Sequence, residues 1–249
     1  MSQSPLDNNL QQIADARHGD PFAVLGRHPE GDGVCVRAML PGAETVTIAD
    51  GNHVMGRLEG SDIFEWRGPA AAVPERYRLI WRDNEHREHI AHDPYCFPPQ
   101  LPDFDMHLFG EGRHWHVYRL LGAGVHETDG IAGILFSVWA PNAARVSVVG
   151  DFNGWDGRRH PMRIHGNGIW ELFIPDLSHG VLYKFEIRTR EGAILLKSDP
   201  FGRRFEVRPS TASIVEPPSS FQWRDAAWLQ ARSEHDWQHS PMSIYEVRS

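Results

Sequence analysis

The same order of landmarks runs twice along this 249-residue chain, and that repeat constrains the fold more than any single segment. Leu40-Pro41-Gly42-Ala43-Glu44-Thr45-Val46 lines up with Ala140-Pro141-Asn142-Ala143-Ala144-Arg145-Val146, an offset of 100 residues. Phe64-Glu65 lines up with Trp170-Glu171, Tyr77 with Tyr183, and Asp93-Pro94-Tyr95 with Asp199-Pro200-Phe201, all at an offset of 106. A register kept over four landmarks with one change of length means that one supersecondary unit is built twice. Between the landmarks lie short runs rich in β-branched and aromatic residues, bounded by Gly, Pro and Asn. Such runs read as strands, so each unit reads as an antiparallel β-sandwich.

The remaining segments frame the two units. Asp7 reads as the N-cap of a helix over 8–17 within an N-terminal segment 1–19, with Leu10, Ile13 and Ala14 on one face and Gly19 as its stop. The sandwiches are expected at 20–108 and 122–215, joined by a connector at 109–121. The preceding stretch 97–112 is stiffened by prolines, and Phe104, Met106, Leu108 and Phe109 can pin it to both domains. Residues 114–121 read as two short helical turns. Residues 216–240 read as a linker with a short helix over 224–232 carrying Trp228, and 241–249 as the start of a further strand.

The copies differ where it matters. The second has Asp151-Phe152-Asn153-Gly154-Trp155 after its second strand; the first has Asp50-Gly51-Asn52-His53-Val54, without a tryptophan. A flat indole in a polar, Gly-rich loop suits the face of a sugar ring, with polar neighbours for its hydroxyls. The plainer alternative is an indole plugging the end of a sandwich. Lys184, where the first copy has Arg78, supplies an ammonium that can reach ring hydroxyls. Trp155 and Lys184 are therefore the leading candidate contacts, followed by Asn153 and Trp170. Asn153 can instead hold the turn, and Trp170 alternates with Leu172 and Ile174 as a core residue does.

Composition narrows the function classes. The net charge of -8 disfavours a general nucleic-acid binder, which needs a basic field, and suits a neutral polymer. Cys35 and Cys96 are the only cysteines and read as free thiols rather than a disulfide framework. His86, His89 and His92 do not share a strand face, and no acid or thiol completes a metal set, so no metal or cofactor is expected. The polar residues 1–12 lack the apolar region of a signal peptide, and no run of 18 apolar residues exists. A cytoplasmic location with no membrane partner is the expectation.

The ordered set WAPNA (139–143), VVGDFNGW (148–155), GIWE (168–171), LYKF (182–185) and DP (199–200) resembles the glycogen-binding module of glycogen-acting enzymes, carbohydrate-binding module family 48. With the doubled unit, the joint DPYCFPPQLPDFDMHLFGEG (93–112), GDFNGWDGRRHPM (150–162) and PMSIYEV (241–247), the chain resembles the N-terminal portion of bacterial 1,4-alpha-glucan (glycogen) branching enzymes. The resemblance implies an all-β fold class: two tandem immunoglobulin-like β-sandwich domains with short helical connectors. It implies that the catalytic (β/α)8 barrel is absent except for its first strand at 241–249.

That family makes α-1,6 branches by cleaving an α-1,4 bond and transferring the segment with retention, which needs two carboxyl groups roughly 5 Å apart. The family's catalytic Asp, Glu and Asp lie on later barrel strands, and none maps onto this chain. No catalytic residue is therefore assigned, and the 249-residue chain is expected to be inactive alone. The implied partners are α-glucan or glycogen and the missing barrel. Some relatives carry another aromatic after the YKF strand; residues 188–197 have none, which implies weak binding. The other readings are a free-standing glycogen-binding or regulatory module, the N-terminal part of a debranching enzyme or trehalohydrolase, and a ligand-free structural sandwich. The doubled unit and MSIYEV point away from a free-standing module.

Overall fold

The structure is a computed structural model that describes residues 6–217 and 219–247. The chain divides into two compact units after Pro217. The first begins with α1 (Asn8–Ala14), capped as its sequence dictates. Asp7 Oδ1 accepts the Leu10 N–H at 2.9 Å, and Leu10 and Ile13 turn inward.

The first sandwich holds β1 (Gly26–Glu30), β2 (Gly33–Met39), β3 (Ala43–Ile48), β4 (His53–Arg57), β5 (Ile63–Pro69), β6 (Arg78–Asp83) and β7 (Glu88–His92), in the order β1-β2-β5-β4-β3-β6-β7. Strand β4 pairs with β3 through His53, Val54 and Met55, then with β5 through Gly56 and Arg57. One strand thus belongs to both layers, and the sandwich is a single ladder folded over at a corner. The proline-stiffened stretch 97–112 forms α2 (Asp103–Gly110). Where two helical turns were expected over 114–121, one 3-10 turn forms at Val117–Arg119.

The second sandwich packs the sheet β11-β12-β9-β8 against the sheet β10-β13-β16-β15, with β14 also on β13. Its strands are β8 (Gly122–Thr128), β9 (Ile131–Trp139), β10 (Ala143–Gly150), β11 (Arg163–Ile164), β12 (Ile169–Pro175), β13 (Leu182–Thr189), β14 (Ile194–Lys197), β15 (Arg204–Phe205) and β16 (Ser213–Ile214). All pairings are antiparallel. With the three short helices, this is the all-β architecture expected.

Strand register shows that the repeat is physical. Val46 faces Trp81 as Val146 faces Ile187, and Met39 faces Ile63 as Trp139 faces Ile169. Even the bulge recurs, between Ala43 and Thr45 and between Ala143 and Arg145. The Tyr77 hydroxyl donates to buried Asp93, and the Tyr183 hydroxyl donates to buried Asp199. In each copy the same carboxylate also accepts the backbone N–H two residues on, from Tyr95 at 3.0 Å and Phe201 at 2.7 Å. Burial pushes Asp93 up to about 6 and both tyrosines above the ordinary phenol range. Tyr77→Phe and Tyr183→Phe are each expected to cost about 1–3 kcal/mol, because a buried carboxylate loses its side-chain donor. Thermal melts read this directly; an unchanged melting temperature in either variant would mean that the lock is ornamental.

The two copies share a core. Leu10, Ile13, Val24, Leu25, Met39, Ile63 and Tyr95 join one cluster with Phe136, Val146, Trp170, Tyr183 and Phe185 of the second sandwich. A second cluster around Val36, Phe64 and Tyr77 fills the first sandwich alone. Polar links reinforce the joint. His92 donates its backbone N–H to Asp176 at 2.7 Å, and the Tyr95 hydroxyl donates to Pro161 O at 3.1 Å.

The second unit contains α3 (Ala226–Glu234), two residues later than the sequence suggests, with the Arg232 guanidinium 5.2 Å from the Trp228 ring centroid. The strand expected over 241–247 does not form; residues 248 and 249 lie outside the described residues. A strand is stabilised by a ladder partner, and no described segment pairs with this one.

Candidate functional site

The change of length between the copies lies mainly in the loop that carries Trp155. In the first copy, β3 and β4 are joined by a tight turn, and Val46 pairs with Met55. In the second, Met162 takes the place of Met55, with its N–H on Val146 O at 2.9 Å, so the chain between spans 151–161. Asp151–Asn153 makes a 3-10 turn. Gly154 and Trp155 then both adopt left-handed backbone, at φ 65° and 61°. Glycine does this freely; for a bulky residue it costs on the order of 1–3 kcal/mol and is held only where the surroundings impose it.

Two bonds impose it here. The Trp155 backbone N–H donates to Gly150 O at 3.0 Å, and its indole Nε1–H donates to Asp151 Oδ1 at 2.8 Å. The indole is fixed at its polar edge while 37% of the residue stays open to solvent. What remains is a rigid apolar face with little entropy left to lose on contact.

Lys184 sits opposite Val149, two residues before the loop begins, and between inward-facing Tyr183 and Phe185. It therefore emerges on the outer face of the sheet beneath the loop. Its Nζ donates to Thr211 Oγ1 at 2.8 Å, and its other two N–H groups have no acceptor among the described residues.

The other two candidates lie in the interior, and their expected contact role is corrected accordingly. Asn153 is 2% exposed. Its Oδ1 accepts the Gly150 N–H at 2.9 Å, and its Nδ2 donates to Val148 O at 3.0 Å and His160 Nδ1 at 2.8 Å. Burial lowers His160 to about 3, so its imidazole is neutral and can accept. Asn153 ties the turn and has no donor left for a ligand. Trp170 is 1% exposed, with its Nε1–H on Ala140 O at 3.0 Å, and fills the core.

Reading the sequence missed what lies under the loop. Arg145, 1% exposed on β10, donates to Gly157 O at 2.6 Å and to Ser147, and pairs with Glu186 on β13. At Gly157 an added Cβ would sit 2.0 Å from Glu186 Oε1, so the loop backbone rests directly on that ion pair. The signal was present: Arg145 and Glu186 stand where the first copy, which has no loop to hold, has Thr45 and Ile80.

The histidines are occupied elsewhere, His89 with Asp83 at 2.9 Å and His92 with Asp176 at 2.9 Å. Among the described residues no cluster of His, Cys, Asp and Glu could hold a metal. Cys35 and Cys96 are free thiols, pushed by burial to about 11 and about 12. No described helix is long and apolar enough to cross a membrane.

Residues 6–95 match the family described as the alpha-1,4-glucan branching enzyme GlgB N-terminal domain. Residues 120–202 match carbohydrate-binding module 48, the isoamylase N-terminal domain. The 1,4-alpha-glucan branching enzyme GlgB of Methylococcus capsulatus is 56% identical over 98% of this chain and 33% of its own length. The enzymes of the same name from Nitrosococcus oceani and Cellvibrio japonicus are 52% and 51% identical, over 96% and 97% of this chain and 32% and 34% of their own. The chain corresponds to the N-terminal part of 1,4-alpha-glucan branching enzymes. It spans about a third of the length of these relatives. In branching-enzyme terms, the first sandwich is the N-terminal domain and the second the family 48 module. Trp155, Lys184, Arg145 and Glu186 all fall within the module match.

Proposed function

We propose that this chain is the glucan-docking front of a glycogen branching enzyme, holding α-glucan against the face made by Trp155 and Lys184. The observation that carries the proposal is the indole itself: presented from a left-handed backbone, locked at its Nε1, half open, and located in a loop that only the second copy has. A stacked glucose ring needs no more than such a face and a few hydroxyl partners, which the other N–H groups of Lys184 and the Thr211 hydroxyl supply. One indole and one ammonium make a shallow site. Its use is to raise the local concentration of a polymer with many chain ends beside a catalytic domain. Branching itself is proposed only at the full length of the relatives, of which this chain spans about a third.

The test is affinity electrophoresis through glycogen. The chain is expected to be retarded, with Trp155→Ala weakening apparent affinity on the order of tenfold, about 1.4 kcal/mol. Lys184→Ala is expected to weaken it less. Identical mobility with and without glycogen would remove the docking role. Unchanged retardation of Trp155→Ala would move the site elsewhere.

A further inference from the structure

A cleft between the two copies gathers positive charge that the fold leaves largely unanswered. Its volume is about 370 Å³, within the range of small-molecule sites, and its apolar walls are Phe22, Tyr95 and Phe97. Three guanidinium groups reach it from separate segments: Arg27 on β1, Arg76 ahead of β6, and Arg163 on β11 of the second copy.

Only Arg76 has an acid, with its Nε donating to Asp129 at 2.9 Å. Arg27 donates to one acceptor, Ala70 O at 3.0 Å. Arg163 also donates to one, Phe97 O at 3.0 Å, and lies 3.6 Å from the Phe22 ring centroid. A guanidinium carries five N–H donors, so most of those on Arg27 and Arg163 have no acceptor among the described residues. The Nε of each is sealed from water without a partner. Burial holds Arg163 below its ordinary range. Glu75, the acid lining the cleft, is exposed. Glu171, opposite Arg163 in the ladder, and Asp20 act on Arg163 from further off, but among the described residues no carboxylate lies within ion-pair distance of Arg27 or Arg163, and in a chain of net charge -8 that is an arrangement that needs a counterpart.

We propose that this cleft binds the dianionic phosphate monoester of a small molecule. Guanidinium forks match phosphate oxygens in pairs, and three forks from different directions suit a tetrahedral dianion better than a planar carboxylate. Because Arg27 and Arg163 belong to different copies, the bound anion bridges them and stiffens their joint. The site is separate from the Trp155 face.

The probes are inorganic phosphate and glucose 6-phosphate, with glucose and chloride at matched ionic strength as controls. At about ten times the dissociation constant, a phosphate probe is expected to raise the melting temperature by about 3–6 °C, with no effect of glucose or chloride. A rise with inorganic phosphate assigns the site to the anion alone; a rise only with glucose 6-phosphate assigns it to the ester. The rise is expected to vanish in Arg27→Gln and in Arg163→Gln, and to persist in Trp155→Ala. No rise with either probe, or a full rise in Arg27→Gln, overturns the site. If either arginine variant fails to fold, phosphorus NMR of the probe with the wild-type chain decides: a line that does not broaden beyond the chloride control overturns it equally.

Discussion

Arg145→Met is expected to destabilise the first compact unit by about 3–5 kcal/mol, the usual cost of removing one partner of a buried ion pair. Methionine keeps most of the volume but none of the charge. Glu186 would be left without its cation, and Gly157 O and Ser147 would lose their donor beneath the Trp155 loop. At roughly 2–4 °C per kcal/mol for a unit of this size, the melting temperature should fall on the order of 10 °C. Glycogen retardation should fall with it, because the loop backbone rests on this pair at Gly157. Arg145→Met combined with Glu186→Met should recover part of the loss, since two apolar groups bury more easily than one orphaned carboxylate. A single variant that melts with the wild type would show that the loop is held by Asn153 alone.

Glu171→Ala carries the second large effect. This carboxylate is 2% exposed and holds the stretch 97–112 by its backbone, accepting the Gln100 N–H at 2.9 Å and the Leu101 N–H at 3.0 Å. Alanine orphans two N–H groups, at about 1–3 kcal/mol each, so a loss on the order of 3 kcal/mol is expected at neutral pH. The loss has a pH signature. Burial acts to raise the Glu171 pKa, but the His165 ring 3.3 Å away and the backbone bonds from Gln100 and Leu101 outweigh it and hold the carboxyl below its ordinary 4.5. Its stabilisation is therefore present above that ordinary value and lost as pH falls through the lower folded value. Melting temperatures of wild type and variant should converge on acidification. A gap that stays constant down to acid pH would assign the loss to packing instead.

The first copy has the matching residue, Glu65, but it pairs with Arg37 at 2.7 Å. The same landmark in the repeat therefore holds a strand neighbour in one copy and the chain's own joint in the other. Such differences explain what the sequence could and could not reveal. Strand existence and register were legible because Pro141, Trp170, Tyr183 and Asp199 recur against Pro41, Phe64, Tyr77 and Asp93, and period-2 patterning fixes the faces between them. The Trp155 loop was legible as an insertion bearing an aromatic. The support beneath it was not, because Arg145 and Glu186 are 41 residues apart and each reads alone as a surface charge on a strand. Asn153 and Trp170 read equally as contacts or as interior groups; only their filled hydrogen bonds decide. The strand expected at 241–247 rested on the resemblance of PMSIYEV to a first barrel strand, and a strand is not held without a neighbour to pair with.

The core that runs through both copies has a practical corollary. Cutting the chain near residue 120 would not release a portable sugar-binding cartridge. It would strip Leu10, Ile13, Met39, Ile63 and Tyr95 from the flank of the second sandwich and open a greasy wound there. Genetic excision of that half should yield a sticky product, and in calorimetry the intact pair should give one heat-absorption peak rather than two.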